Sequence, residues 1–328
     1  MEYYKLNSLY IEVTHACNQH CRHCYLDGGI HHKNAEMTTD QIKKIFSEFK
    51  AQGGRYVIFT GGEPLMRSDM FELLDCLEAL HLRFTFASNS FGMNKERLER
   101  LASYRGLEEY FTSILGADAE KHKAIAGKDS FDAALNAIRF FDKKGIPTFV
   151  QVTLANDYIE DMENILKLFV DFQNCSVKIT PIASLGCKSA EEKELNKDLI
   201  VPKERFDYFH EKLDALCEKY PNCVGDDNVL THEQIEESIA EYSEHPLYSL
   251  CYGSVCVRPN GDLSFSYNMI NPITFGKAYE SIKIPMDEKF FDYIGLLKKA
   301  DEKVLADSEK TAVEYDTEID RYINSVLG

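Results

Sequence analysis

Between residues 9 and 182, short apolar runs of strand type alternate with amphipathic stretches of helical period, and this alternation restricts the fold more than any other property of the chain. Residues 9–13, 56–60, 83–88, 110–114, 148–154 and 176–182 read as strands. Thr38 and Asp40 open the first helical stretch, Ile42, Ile45, Phe46 and Phe49 share one of its faces, and Gly53-Gly54 stops it. Further helices are expected at 69–81, 95–104, 130–143, 159–172 and 202–219. Strands separated by helical crossovers pair in parallel. Right-handed crossovers then leave an α/β fold of one of two kinds, an open doubly wound sheet or a barrel, and the alternation does not choose between them.

Two strand ends carry the chemistry. Directly after the first run, Cys17-Asn18-Gln19-His20-Cys21-Arg22-His23-Cys24-Tyr25 puts three thiols on one loop. That is one ligand short of a closed four-coordinate site, so a metal held there keeps an open position. His15, His20 and His23 are interleaved, and any one of them could complete a Cys3His zinc site. An inert set of buried thiols is the plainer alternative. The second run leads into Gly61-Gly62-Glu63-Pro64. The glycines let a backbone approach a ligand closely, a carboxylate beside them suits a ligand ammonium group, and Pro64 stiffens the turn.

In this order, and each after a strand, the two segments resemble the radical S-adenosylmethionine (SAM) enzymes, with their Cys-x3-Cys-x2-Cys-aromatic loop and Gly-Gly-Glu-Pro turn. The resemblance implies a partial (β/α)6 TIM-like barrel with functional loops at the carboxyl ends of its strands. It also implies one four-iron, four-sulfur (4Fe-4S) cluster on Cys17, Cys21 and Cys24. The fourth iron would chelate the amino and carboxylate groups of SAM's methionine, and electron transfer would yield a 5'-deoxyadenosyl radical. Tyr25, Gly61, Gly62, Glu63 and Pro64 are the implied SAM neighbours. Ser88 and Asn89 resemble the family's third-strand turn, with Ser90 in place of the usual glycine. Ser113, Gly116, His122 and Gly127 match its fourth-strand segment, whereas Leu115 and Ala126 stand where aspartate and arginine are usual. Gln151 would face the cofactor if strand alternation turns it inward.

Residues 184–197 are polar and aperiodic, which places a boundary between a barrel at 1–185 and a small α+β extension with a helical tail at 186–328. The spacing from Cys251 to Gly261 and Ser266 resembles the opening of a SPASM or twitch extension, around a turn at 259–262. Ser266 stands where that pattern has a cysteine, and no cysteine follows Cys256, so no ordinary auxiliary iron-sulfur cluster is expected. A nonstandard cluster on Cys187, Cys251 and Cys256, joined by Cys217 or Cys223, is the alternative. Cys223, in a loop-like setting, is a candidate hydrogen donor to a substrate radical.

An excess of 54 acidic over 37 basic residues, a formal charge of -17, disfavours phosphate-backbone binding, and no nucleic-acid partner is expected. No apolar run reaches the roughly 20 residues of a membrane span and no signal peptide precedes the first strand, so a cytoplasmic location is expected. Ten cysteines there read as reduced thiols and metal ligands. The extension most resembles peptide-modifying members, which implies hydrogen-atom abstraction from a peptide and crosslinking or epimerisation in the maturation of ribosomally made peptides. Only eight residues precede the first strand, so a peptide is expected to need either a separate leader-recognition protein or direct docking against the C-terminal region, together with a reductase such as flavodoxin or ferredoxin. Small-molecule or cofactor biosynthesis is the alternative. A noncatalytic scaffold is a third reading, against which both intact motifs count.

Overall fold

The computed structural model describes residues 3, 4, 6–26, 36–182, 185, 189–224, 255–265, 274–305 and 325–326. Its centre is six parallel strands: β1 (Ser8–Glu12), β2 (Tyr56–Thr60), β3 (Arg83–Ala87), β4 (Leu107–Ser113), β5 (Thr148–Leu154) and β6 (Cys175–Pro181). They lie side by side in chain order, without the reversal of a doubly wound sheet. The outer two pair onward with other strands rather than with each other, so the barrel is partial. The helices α1 (Thr39–Ala51), α2 (Met70–Ala79), α3 (Lys95–Leu101), α4 (Ala119–Ala126), α5 (Phe131–Lys144) and α6 (Met162–Leu166) connect them.

Strand alternation decides which residues reach the interior. Val150, Val152, Leu154, Val177 and Ile179 are buried in one apolar set with Leu135, Ile138, Ile165 and Phe209 on the helical side. Phe149, Gln151 and Lys178 therefore face the other way, into the barrel. A second apolar set on the β1 to β3 side centres on Phe46, Phe49, Phe59, Phe84 and Phe86. Thr38 begins α1 as expected: its Oγ1 accepts from Gln41 N, and Gln41 Oε1 accepts from Thr38 N at 2.8 Å.

The chain departs from the sequence reading at three helices. α4 was not expected, although its signals are ordinary: Asp118 caps it by accepting from Lys121 N, and Gly127, at φ 70°, ends it. The helix expected at 159–172 is reduced to a 3-10 turn over Asn156–Asp161 and the five residues of α6. Beyond α6 the chain tightens into i to i-3 bonds, Leu168 N to Ile165 O and Phe169 N to Leu166 O. The expected aperiodic stretch contains α7 (Ala190–Leu195), started by a Ser189 and Glu192 capping box.

After α8 (Phe206–Lys219), the extension joins the barrel sheet at both edges. β7 (Cys223–Val224) lies parallel to β6, and β8 (Cys256–Val257) lies parallel to β1. β9 (Leu263–Ser264) returns antiparallel to β8 around the expected turn, and α9 (Glu288–Leu305) follows. A buried ion pair fastens the β8 edge: Arg258 Nη1 lies 3.1 Å from Glu12 Oε1, with Glu12 fully buried at the end of β1. Glu12 Oε2 is in turn 3.1 Å from His15 Nε2, where the cysteine loop begins.

Removing one member of a buried pair leaves an uncompensated charge. Arg258→Met is expected to lower stability by about 3 kcal/mol in urea unfolding of the apoprotein, and adding Glu12→Leu should recover most of that loss. A single-variant loss below about 0.5 kcal/mol would show that the pair does not fasten the edge.

Candidate functional site

The cysteine loop follows β1 and the glycine turn follows β2, and the two are joined backbone to backbone. Gly62 N donates to Thr14 O at 2.9 Å and Glu63 N donates to Ala16 O at 2.8 Å. Gly61 has φ 108°, and a Cβ on Gly62 would lie 2.3 Å from Ala16 O. Only glycine permits that approach. The sequence reading assigned these glycines to a ligand, whereas the close neighbour here is the cysteine loop itself.

Glu63 is fully buried. Its Oε1 accepts from Leu65 N at 3.1 Å and Ser88 Oγ at 3.0 Å, and its Oε2 accepts from Asn89 N at 2.8 Å. Burial pushes its carboxyl up to about 7, while these three donors and the Arg97 charge pull it back. Three of its roughly four lone-pair positions are thus used to tie the turn after β2 to the turn after β3, leaving one for a ligand ammonium group. Pro64 opens the short 3-10 turn Pro64–Met66 that presents the Leu65 donor. Ser90, in the usual glycine's place, keeps a left-handed φ of 64° and is held there by its Oγ, 2.7 Å from Tyr110 OH and 2.9 Å from Thr112 Oγ1.

Cys17, Cys21 and Cys24 are all half-buried, and Cys24 N donates to Cys21 O at 3.0 Å to fold the loop back. Cys17 Sγ accepts from Gln19 N at 3.5 Å and Asn89 Nδ2 at 3.6 Å. Burial raises the Cys17 thiol, and the negative neighbours Glu63 and Cys24 raise it further. A free thiolate is disfavoured in that setting, and a bound cation would neutralise it. A tetrahedral zinc would draw thiolates to about 3.8 Å from one another, whereas an iron-sulfur cubane places each on a separate iron. The donor set, three thiols on one loop with amide donors aimed at sulfur, fits the cluster.

The far side of the loop hangs on a buried polar relay. Gln19 Nε2 donates to Ser130 Oγ at 2.7 Å, His122 Nε2 lies 2.7 Å from the same oxygen, and Leu115 N donates to His122 Nδ1 at 3.1 Å. An Nδ1 that accepts must leave the ring proton on Nε2, so the imidazole is neutral and donates to Ser130. Burial drives its pKa down to about 4. Ala126, the residue in the expected arginine's place, is buried with its carbonyl 3.8 Å from Cys21 Sγ. Arg22 reaches outward, from its Nε to Asn196 Oδ1 at 2.8 Å and from Nη2 to both Asp198 oxygens at 2.8 and 2.9 Å.

Below the loops, Ser113, Gln151 and Lys178 stand level on β4, β5 and β6. Gln151 faces inward, as alternation required, and its Nε2 donates to Thr180 Oγ1 at 2.8 Å. One level lower, Phe111 and Phe149 stack with centroids 5.4 Å apart. The Tyr25 hydroxyl bonds to Thr60, and burial together with Glu12 raises its pKa. Cys256 is fully buried on β8, level with Tyr10 and within the electrostatic reach of Glu12 and of Tyr25. Cys187, Cys251 and Ser266 lie outside the described residues.

Cys223 does not fit the hydrogen-donor role. It stands beside Val177, in the amino-terminal half of β6, and packs with Cys217 against the apolar set on the helical side of the sheet. The cofactor loops occupy the opposite ends of the strands, and a donor must face the interior at their level. Sequence reasoning also missed Glu12, Gln19, Arg22, Ser130 and Arg258. A charge closing an apolar strand was the available signal for Glu12; the others have none.

A family model described as the radical SAM superfamily matches residues 11–169. That segment is a radical SAM domain. The radical SAM superfamily implies a 4Fe-4S cluster and SAM binding for that segment. The chain is 30% identical over 158 residues to an AdoMet-dependent heme synthase of Nitratidesulfovibrio vulgaris, covering 48% of this chain and 43% of that protein. It is 31% identical over 161 residues to a PqqA peptide cyclase of Streptomyces rochei, covering 49% and 44%. The chain thus spans less than half the length of these two relatives. In fold it is similar to Streptococcus suis SuiB bound to S-adenosylmethionine, with a TM-score of 0.66 at 16% identity over 88% of this chain and 67% of that one.

The neutral His122 gives the relay a pH dependence of fixed sign. Its folded pKa lies below the unfolded value of about 6.5, so stability is fully present above about pH 6.5 and falls as the unfolded chain alone gains the proton down to about pH 4. Urea unfolding of the apoprotein should therefore lose up to about 3 kcal/mol more between pH 7 and 4 in the wild type than in His122→Gln. Equal losses would contradict the neutral ring.

Proposed function

We propose that this enzyme reductively cleaves SAM and abstracts a hydrogen atom from a peptide substrate, leading to crosslinking or epimerisation in ribosomally synthesised peptide maturation. The observation that carries the reading is the junction of the cysteine loop with the Glu63 turn at adjoining strand ends. Cys17, Cys21 and Cys24 would hold the cluster, with Asn89 and Gln19 donating to the Cys17 sulfur. When bound, the cluster and SAM supply the 5'-deoxyadenosyl radical that removes the hydrogen atom. Glu63 would offer its remaining lone pair to the methionyl ammonium, beside Gly61, Gly62 and Pro64. Tyr25, Ser88, Asn89, Ser113 and Gln151 would be further neighbours of SAM. Phe111 and Phe149 stack one level below Ser113 and Gln151.

The peptide assignment is supported by the likeness to a PqqA peptide cyclase. The equal likeness to a heme synthase favours cofactor or small-molecule biosynthesis as the second reading. Residues 1–185 would be the chemical unit and 186–328 the extension that admits the substrate, without an ordinary auxiliary cluster. A reductase of flavodoxin or ferredoxin type would supply the electron, and a separate leader-recognition protein would present the peptide. Among the described residues no helix is long and apolar enough to cross a membrane.

Anaerobically reconstituted protein given SAM and dithionite should release 5'-deoxyadenosine and carry about four irons per chain. Replacing Cys17, Cys21 and Cys24 together by alanine should abolish both the cluster absorbance and the release. Retained cleavage in the triple variant would sink the assignment, and about eight irons in the wild type would restore an auxiliary cluster. A product mass found on a peptide encoded beside the gene would favour the first reading over the second.

A further inference from the structure

Away from the cofactor loops, two thiols face each other with no part in the chemistry above. Cys217 lies in the last turn of α8 and Cys223 opens β7, and their sulfurs are 2.8 Å apart. A disulfide bond is about 2.05 Å long, so bond formation asks for under about 1 Å of travel. Two thiolates sharing one tetrahedral metal ion would instead stand about 3.8 Å apart, which argues against a metal pair.

The turn between them is held from both sides. Cys223 N donates to Tyr220 O at 3.0 Å, Tyr220 OH donates to Glu163 Oε1 at 2.9 Å, and Asn222 Nδ2 donates to Phe172 O at 2.8 Å. The two sulfurs are therefore brought together by a turn fastened to its surroundings, not by the chance meeting of two loose side chains. Both residues are partly exposed, and a small cleft of about 10 Å³, room for about one water, lies beside Cys223 between Leu166, Phe169, Val177 and Tyr220.

We propose that Cys217 and Cys223 form a reversible disulfide, made and broken by exchange with low-molecular-weight disulfides and thiols, which staples α8 to the edge strand β7. The Cys217 thiolate attacks one sulfur of the small disulfide, forms a mixed disulfide and expels one thiolate. The Cys223 thiolate then attacks Cys217 Sγ, closes the internal bond and expels the second. Two protein thiols are oxidised by two electrons, their protons leave, and one small disulfide is reduced to two thiols. Burial raises both thiols, and the contact between the two sulfurs offsets that rise at Cys217 and adds to it at Cys223, so Cys217 is the first nucleophile. With both raised, exchange is slow at neutral pH and quickens as pH rises.

The test uses the whole chain with its cluster, equilibrated anaerobically with oxidised and reduced glutathione, alkylated, digested and weighed. The expected result in excess oxidised glutathione is a peptide linking residues 217 and 223, lighter by two hydrogen atoms, alkylated at neither position and free of glutathione. Cys223→Ser should instead accumulate glutathione on Cys217. Both thiols remaining open to alkylation, or each carrying its own glutathione, would overturn the proposal, as would the linked peptide failing to disappear under reduced glutathione. Circular dichroism of Cys223→Ser confirms that its adduct comes from a folded chain, and Cys217→Ala, which should show neither link nor rapid adduct at residue 223, tests the order of attack independently.

Discussion

The site depends on one seam: the two backbone hydrogen bonds that join Gly62 and Glu63 to Thr14 and Ala16. They fix the glycine turn against the root of the cysteine loop at a distance that no residue with a Cβ could accept at position 62. Everything that faces a ligand is arranged from there. Glu63 is carried into a buried position where it must find donors, and the donors it finds belong to the ends of β2 and β3. One carboxylate thus registers two turns, and the Asn89 side chain extends that registration to the Cys17 sulfur.

The rest of the cysteine loop is held by polar groups taken out of water. Glu12 and Arg258 fasten its root to β8, the relay from Gln19 through Ser130 to His122 fastens its middle to α4 and α5, and Arg22 clasps Asp198 beyond α7. Buried polar groups of this kind are costly if any partner is lost, and their benefit is a single geometry. A loop that is to present three sulfurs to the proposed cluster needs that. The Arg22 pair, being half-exposed, contributes little stability and serves chiefly to bring the chain after α7 against the loop.

The barrel was legible because a period of two alternating with a period of 3.6 leaves few parallel arrangements, and the family resemblance chose among them. The three cysteines and Glu63 stand out in the sequence because contiguous motifs mark them. Contacts between residues distant in sequence were not: Gln19 and Ser130 are separated by over a hundred residues, and Glu12 and Arg258 by more than two hundred. α4 was overlooked because its segment was read as a motif, although Asp118 and Gly127 announce a helix. Cys223 was misjudged because a loop-like sequence says nothing about which face of a sheet a side chain will take.

Electron paramagnetic resonance of the dithionite-reduced protein, recorded before and after SAM is added, tests the central claim most directly. An iron with an open position that receives the methionyl group predicts a 4Fe-4S signal that shifts on SAM addition and broadens when the methionyl nitrogen or carboxylate is isotopically labelled. A signal indifferent to SAM, or a loop filled by zinc with no cluster signal at all, would contradict it.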